Sequence, residues 1–478
     1  MAGNSLSLPT SNVGIVSCMA RGGTAVRASC TRLTQFVAVF ENYGPENVLL
    51  LSEVLGDFVI TIRGRTAYSG RAVVRNIVNS GLVEVCEVEL AGGWVLLDGL
   101  SGLSHTERLA SEYAEFIQGF QLRSSIEPEF KVHVADMQDF FQELRAWLSQ
   151  LEIGTKALPI GEQLAAETEV ASLVAKQVIP YIDGLFEKLE AIAPRIDDRL
   201  QPLHRAYLKR QLHPLVLCSP FAHRTFSKPL GYPGDFEMVN MIWRNGIEGV
   251  SLFAKVLNCW FLHQPPAVAH RNRILYLTEK LKEEALRVRA LCRPLRVFNL
   301  ACGPAAEVQE FVKNSNLSDG AEISLADFNG ETLDYLSGAL TAITRTRART
   351  ASFSFIKRSV HQYLKDGARG ERASPQPAYD FVYCAGLFDY LPDTICRRLM
   401  SILYDWLAPG GLLLATNVDS SNPLQHGMDY LLDWNLVYRD ALRSAGLIPE
   451  SASAGANTVR SDVTGVNLMI EVRKPEHV

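Results

Sequence analysis

The 478-residue sequence has no Cys-x-x-Cys pair, and its nine cysteines are scattered without the Cys/His spacing of a zinc site, so no metal centre is expected. Cys86, Cys302 and Cys384 sit inside apolar runs, where a free thiol behaves as a small hydrophobe, which fits a reducing compartment. Charge of one sign is lacking as well. The net charge is −5 and basic clusters such as "RTRAR" at 345–349 are short, so nothing provides the field that attracts nucleic acid. No uncharged apolar stretch reaches the roughly 18 residues needed to cross a bilayer. The first thirty residues lack the basic end and unbroken apolar core of a signal peptide. The expectation is a cytoplasmic protein that touches the inner membrane peripherally at most.

What is present is 47% apolar residues against 21% charged, ordinary for a globular chain with sizeable cores. From about 24 to 100, short runs rich in Val, Thr and aromatics alternate with Gly, Asn and Asp turn signals, which predicts an all-β module of five to seven strands. The pattern changes at Ser104. Met137, Phe140, Phe141, Leu144, Trp147, Leu148 and Leu151 then recur at helical spacing, and similar helices follow. From Arg296 strands and helices alternate, which predicts a parallel sheet covered on both faces. The expected α/β architecture is a doubly wound, Rossmann-like domain over 291–478, preceded by a helical region over 104–290 and a small β barrel over 1–103.

In a doubly wound sheet, ligands bind beyond the carboxyl ends of the strands, at the first turn. Here "RVFNLACGPAAEV" supplies Asn299, Ala301, Gly303 and Ala305 in that turn, whereas a pyrophosphate fingerprint would require three glycines. The pattern N-x-A-x-G-x-A resembles the [DE]-x-G-x-G-x-G signature of class I methyltransferases. Asp327 ends the second strand twenty-four residues after Gly303, where an acid can accept both ribose hydroxyls of a nucleoside. The resemblance extends to "RSVHQYL", "YDFVYCAGLFDYLPD" and the Pro-Gly-Gly turn of "LAPGGLLLATNV". It implies S-adenosylmethionine as cofactor, held by Asn299, Ala301, Gly303, Asp327, Phe328, Ser359, Val360 and Gly386.

Together "LGYPGDFEMVNMIW", "ACGPAAEV" and "MDYLLDWNLVYRD" resemble a bacterial group of 3-hydroxy fatty acid methyl ester synthases, which make quorum-sensing signals such as the 3-hydroxypalmitate ester. That resemblance implies a carboxylate acceptor, 3-hydroxypalmitate or 3-hydroxymyristate, free or carrier-bound. Candidates to hold the carboxylate are Tyr232 and Arg439, with His426 as an alternative. For a hydroxyl or amine acceptor, Asp235, Asp389 or His426 is the candidate base, although Asp235 is equally expected as a helix cap.

The N-terminal module is similar to the PilZ family of barrels that bind cyclic di-GMP. "NIVNSG" carries Val78 where that motif has serine, and Arg27 and Arg32 stand one residue too far apart for its arginine pair. Both departures argue against nucleotide binding. Arg63, Arg65, Arg71 and Arg75 are the arginines left to grip phosphates, although alternating charge on an exposed strand face is the simpler account. A scaffold or homodimerisation role is the expectation. The rival reading is a regulatory protein whose methyltransferase domain is inert.

Overall fold

A computed structural model describes residues 14–20, 24–42, 49–62, 65–79, 84–95, 117, 125–368, 378–452 and 457–476. Six antiparallel strands form the N-terminal module: β1 Gly14–Ala20, β2 Thr24–Leu33, β3 Val37–Asn42, β4 Val54–Ile62, β5 Arg65–Asn79 and β6 Glu84–Leu90. They close into a barrel in the order β1-β2-β3-β6-β5-β4 around Val16, Phe40, Phe58, Tyr68 and Val88. Closure leaves no edge strand open, the usual hazard of a small sheet. The strand β1 precedes the stretch that composition marked as β, because its small residues Gly14, Ser17 and Ala20 dilute the β signal.

Helices follow: α1 Pro128–Lys156, α2 Ile160–Ile192, α3 Gln201–Val216, α4 Pro220–Ser227, α5 Phe236–Arg244, α6 Leu252–His263 and α7 Pro265–Arg289. Of the apolar face expected on α1, Met137, Phe141, Leu144 and Leu148 are buried, with Phe130 and Val134, against α2 and α3, whereas Phe140 is half-buried and Trp147 and Leu151 are exposed. Among the described residues, no helix is long and apolar enough to cross a membrane.

The remaining elements run β7 Arg296–Leu300, α8 Ala306–Asn314, β8 Glu322–Asp327, α9 Gly330–Arg347, β9 Ser352–Lys357, α10 Val360–Ala368 and β10 Tyr379–Cys384. After these come α11 Asp393–Asp405, β11 Leu407–Val418, α12 Gln425–Leu432, α13 Ala441–Ala445, β12 Asn457–Ser461 and β13 Asn467–Arg473. The seven-stranded sheet has the order β12-β13-β11-β10-β7-β8-β9, parallel from β11 through β9, with β13 antiparallel to both its neighbours. The doubly wound architecture is as expected. One face is covered by α7, α8 and α9, the other by α10, α11 and α13. Strand order reverses between β7 and β10, which run parallel, and this creates the crevice where such sheets take ligands.

Two bonds cross the expected boundaries. Four side chains of α12, Met428, Tyr430, Leu431 and Leu432, pack in the core of the early helices. A buried ion network then joins barrel, helices and sheet at Asp433, which follows α12 in a left-handed conformation (φ 51°) and is 1% exposed. Asp433 accepts from Arg71 (2.8 Å) and Arg75 (2.8 Å) of β5 and from Lys209 (2.9 Å) of α3. Its carbonyl accepts from Lys228 Nζ at 2.5 Å. Glu89 of β6 accepts from Arg205 and Lys209, and Arg75 also reaches Asp429. The barrel further clasps the loops around it through Val54 N–H to the Gly231 carbonyl (2.8 Å) and Ser52 Oγ to the Asn435 carbonyl (2.9 Å).

These contacts correct one expectation. Arg71 and Arg75 are committed to carboxylates inside the molecule and are not an exposed, phosphate-gripping pair. Arg63, the side chain of Arg65, and Ser80 and Gly81 of the PilZ-like motif lie outside the described residues.

Burial alone would raise the pKa of Glu89, but Arg75, Lys209 and Arg205 outweigh it and bring the group down to about 2. Asp433 is held well below the carboxylate range by Lys209, Arg75 and Arg71 against the same burial. A depressed acid contributes stability that is present above its unfolded pKa of ~4 and disappears as pH falls through the folded value. Asp433→Asn keeps a residue that tolerates positive φ but leaves buried cations uncompensated. Denaturant titration at pH 7 is expected to show a loss of about 3–5 kcal/mol, and a change below ~1 kcal/mol would mean that the network is incidental.

Candidate functional site

The turn after β7 holds three residues with positive φ in five positions: Ala301 (54°), Gly303 (53°) and Ala305 (42°). These are the places where the methyltransferase signature has glycines, so the backbone keeps the glycine conformation with alanine in two of the three. Each left-handed alanine costs ~1–2 kcal/mol, strain held in place by the surrounding loops. Gly303 N–H donates to Asp327 Oδ2 (3.1 Å), Asn329 N–H donates to Asp327 Oδ1 (2.9 Å), and Cys302 N–H donates to the Ala326 carbonyl (3.0 Å). One carboxylate therefore ties the ends of β7 and β8 together. Ala305 at the start of α8 offers no side-chain cap, so the first amides of that helix remain directed toward the crevice.

Two chambers meet over this turn. The smaller, about 660 Å³ of space partly open to solvent, is lined by Tyr232, Asp327, Phe328, Arg358, Val360 and Leu387. Tyr232 and Phe328 meet edge to face at 5.0 Å. The larger, about 1200 Å³ and also partly open, runs between the sheet and the helices and is walled by Phe221, Met238, Ile242, Phe261, Met428 and Leu432. Ala301, Gly303, Gly386 and Tyr390 line both. The Tyr390 hydroxyl accepts from Trp434 Nε1 at 2.9 Å, so the residue beside Asp433 helps fix the partition.

The larger chamber also carries polar and charged groups, among them His270, Arg273, Asn299, Glu307 and Asp389. Glu307 accepts from Tyr383 Oη (2.7 Å) and Asn299 Nδ2 (3.1 Å), and burial raises its pKa. Asn299 Oδ1 is buried without a hydrogen-bond partner among the described residues. Asp389 accepts from Val418 N–H at 2.7 Å, and burial pushes its carboxyl up to about 6. Arg273 of α7 packs against Gly386, its Nη1 lying 3.1 Å from where a Cβ on that glycine would stand.

The expected cofactor positions Asn299, Ala301, Gly303, Asp327, Phe328, Val360 and Gly386 all line one chamber or both. Ser359 lines neither. Its amide and hydroxyl engage Gln362 at the start of α10, and Arg358 occupies the chamber wall in its place.

The acceptor candidates fare differently. Arg439 is fully buried behind the site, donating to Asp393, the Phe388 and Leu391 carbonyls and Asn417, so no donor is left for a ligand. His426 pairs with Glu190 (2.8 Å) and lines neither chamber. Asp235 takes the helix-cap role that the sequence offered as the alternative, its Oδ1 accepting from Met238 N–H (2.8 Å) at the start of α5 and from Arg224 (2.8 Å), and it lines neither chamber. Tyr232 lies in the smaller chamber beside Phe328, away from the apolar one. Sequence reasoning missed Arg273, His270 and Trp434. Glu307 and Tyr390 stood inside motifs already singled out, whereas Arg273 sits in a helix that reads as a basic surface helix.

No protein-family model and no curated protein matches the sequence. Among solved structures, the chain is similar to a possible exported protein from Bordetella parapertussis, with 16% identity over 64% of this chain and 97% of that one and a TM-score of 0.41. It is also similar to magnesium protoporphyrin IX methyltransferase from Synechocystis PCC 6803 with bound SAM (11% identity, 44% and 82% covered, TM-score 0.29). A third is the N-methyltransferase NodS from Bradyrhizobium japonicum WM9 in complex with S-adenosyl-l-homocysteine (15%, 45% and 92%, TM-score 0.30). Likenesses this distant assign no activity.

Gly386 carries two demands, a φ of +89° and the close approach of Arg273. Gly386→Ala is therefore expected to cost about 1–3 kcal/mol, while Ala305→Gly, which relieves a left-handed alanine, should gain about 1 kcal/mol. Paired denaturation curves check both, and equal stability of the three proteins would contradict the strain assigned to this turn.

Proposed function

We propose that the protein is an S-adenosylmethionine-dependent O-methyltransferase that converts the carboxylate of a 3-hydroxy fatty acid to its methyl ester. The observation that carries this reading is the pair of chambers meeting at Gly303 and Gly386: one has an acid and aromatic rings suited to a nucleoside, the other joins an apolar wall from α4, α5, α6 and α12 to charged side chains that include Arg273. Residues of the smaller chamber fit the cofactor. The Asp327 carboxylate, held by Gly303 and Asn329 N–H, would accept from ribose hydroxyls, while Phe328, Tyr232 and Val360 would enclose the base. The orphaned Asn299 Oδ1 and the Glu307 carboxylate suit the ammonium of the methionine part. When bound, the cofactor supplies a methyl carbon activated by a sulfonium.

A fatty acid carboxyl has a pKa near that of Glu, ~4.3, and is already an anion at neutral pH. Transfer forms an oxygen–carbon bond and breaks a carbon–sulfur bond, whose electron pair stays on sulfur, so no proton moves and no base is required. The protein's task is alignment and exclusion of water, and such positioning can supply about 7–11 kcal/mol. Phe221, Met238, Ile242, Phe261, Met428 and Leu432 provide the dry wall and the space for an acyl chain. The barrel serves as a scaffold, since Arg71 and Arg75 brace the loop that carries Trp434.

Purified protein incubated with methyl-labelled cofactor and a panel of 3-hydroxy acids, amines and phenols is expected to label the acids as volatile esters. Asp327→Ala should weaken binding of S-adenosylhomocysteine roughly tenfold to hundredfold, the effect of removing hydrogen bonds to a charged group. Label confined to amines, phenols or protein would discard the carboxylate acceptor. No transfer together with no cofactor binding would favour an inert regulatory domain.

A further inference from the structure

Arg273 is 7% exposed, yet it borders the larger chamber. Among the described residues it forms no ion pair, and its hydrogen bonds go to the His270 ring alone, with Nη2 lying 2.8 Å from Nε2. A guanidinium stays charged in proteins, so the imidazole must be the acceptor and carries its proton on Nδ1. Burial, reinforced by Arg273 and Arg271, holds His270 well below its usual pKa and keeps it neutral. Asp389 and Glu307 are the carboxylates that act on Arg273 from a distance, and both already accept hydrogen bonds, from Val418 N–H and from Tyr383 and Asn299.

A buried cation without a contacting anion is costly, and most of its donors are unused. The planar fork of a guanidinium matches a carboxylate in two-point contact. Around it the chamber is lined by apolar side chains from α4, α5, α6 and α12, so a ligand that satisfies both would have an anionic head and a hydrocarbon tail. We infer that Arg273, oriented by His270, binds the carboxylate of the acceptor in the larger chamber. This deepens the proposed function and rests on it. The guanidinium also lies against Gly386, beside the chamber junction, so the carboxylate of the cofactor's methionine part is the competing source of the same chemistry.

The test is equilibrium binding without turnover, using 3-hydroxytetradecanoate, its primary amide and S-adenosylhomocysteine with the wild-type chain and with Arg273→Met. The wild type is expected to bind the acid tenfold to hundredfold more tightly than the amide, the discrimination that a charged hydrogen bond supplies. Arg273→Met should reduce acid affinity to the amide level while its affinity for S-adenosylhomocysteine stays within about threefold of wild type. Equal binding of acid and amide by the wild type, or no binding of either, overturns the inference even if the variant does not fold. Loss of S-adenosylhomocysteine binding with acid selectivity retained reassigns Arg273 to the cofactor. Acid-selective binding in a protein that transfers no methyl group keeps the site and discards the reaction, whereas transfer to acids without that selectivity does the reverse.

Discussion

Asp433 is the point on which the parts of this molecule converge. It is buried in a left-handed turn between α12 and the sheet, and it neutralises cations delivered by the barrel and by two helical segments. Buried charges of this kind add little net stability compared with an apolar core, but removing one partner is expensive. Their effect here is geometric. The next residue, Trp434, donates to Tyr390, which lines both chambers, so the network fixes the partition of the site.

The site follows from topology together with this brace. A doubly wound sheet opens its crevice where strand order reverses, and here the turns after β7 and β10 face each other across that opening. The first is strained and pinned by Asp327, and the second needs Gly386 so that Arg273 can approach. On one side lies a compartment with an acid and aromatic rings, on the other a mostly apolar one covered by α4 to α7 and α12. On the proposed function, that division would place the polar donor and the apolar tail of the acceptor on opposite sides of the junction.

The sheet was legible in the sequence because alternating apolar strands and helices leave few topologies, and its binding turns carry local signatures at fixed spacing. Asp327 is an example: it ends a strand, and nothing distant decides where it points. Residues whose roles depend on tertiary packing were not legible. Arg439 lies in a polar, aromatic stretch that suggests a ligand-binding loop, yet burial makes it a clamp for backbone carbonyls. Arg273 lies in "AVAHRNRILYLTEK", a run that suggests solvent, yet the sheet face and Gly386 close over it. Arg71 and Arg75 looked like an exposed strand face for the same reason, since the carboxylate they share, Asp433, stands more than 350 residues away in the chain.

The central claim is that the smaller chamber receives a nucleoside whose sugar is gripped by Asp327. A crystal structure of the full chain with S-adenosylhomocysteine tests it most directly. The expected density places both ribose hydroxyls on the Asp327 carboxylate, the base between Phe328 and Val360, and the sulfur at the junction by Gly303 and Gly386. A ligand found elsewhere, or a chamber that stays closed at saturating ligand, would contradict the account.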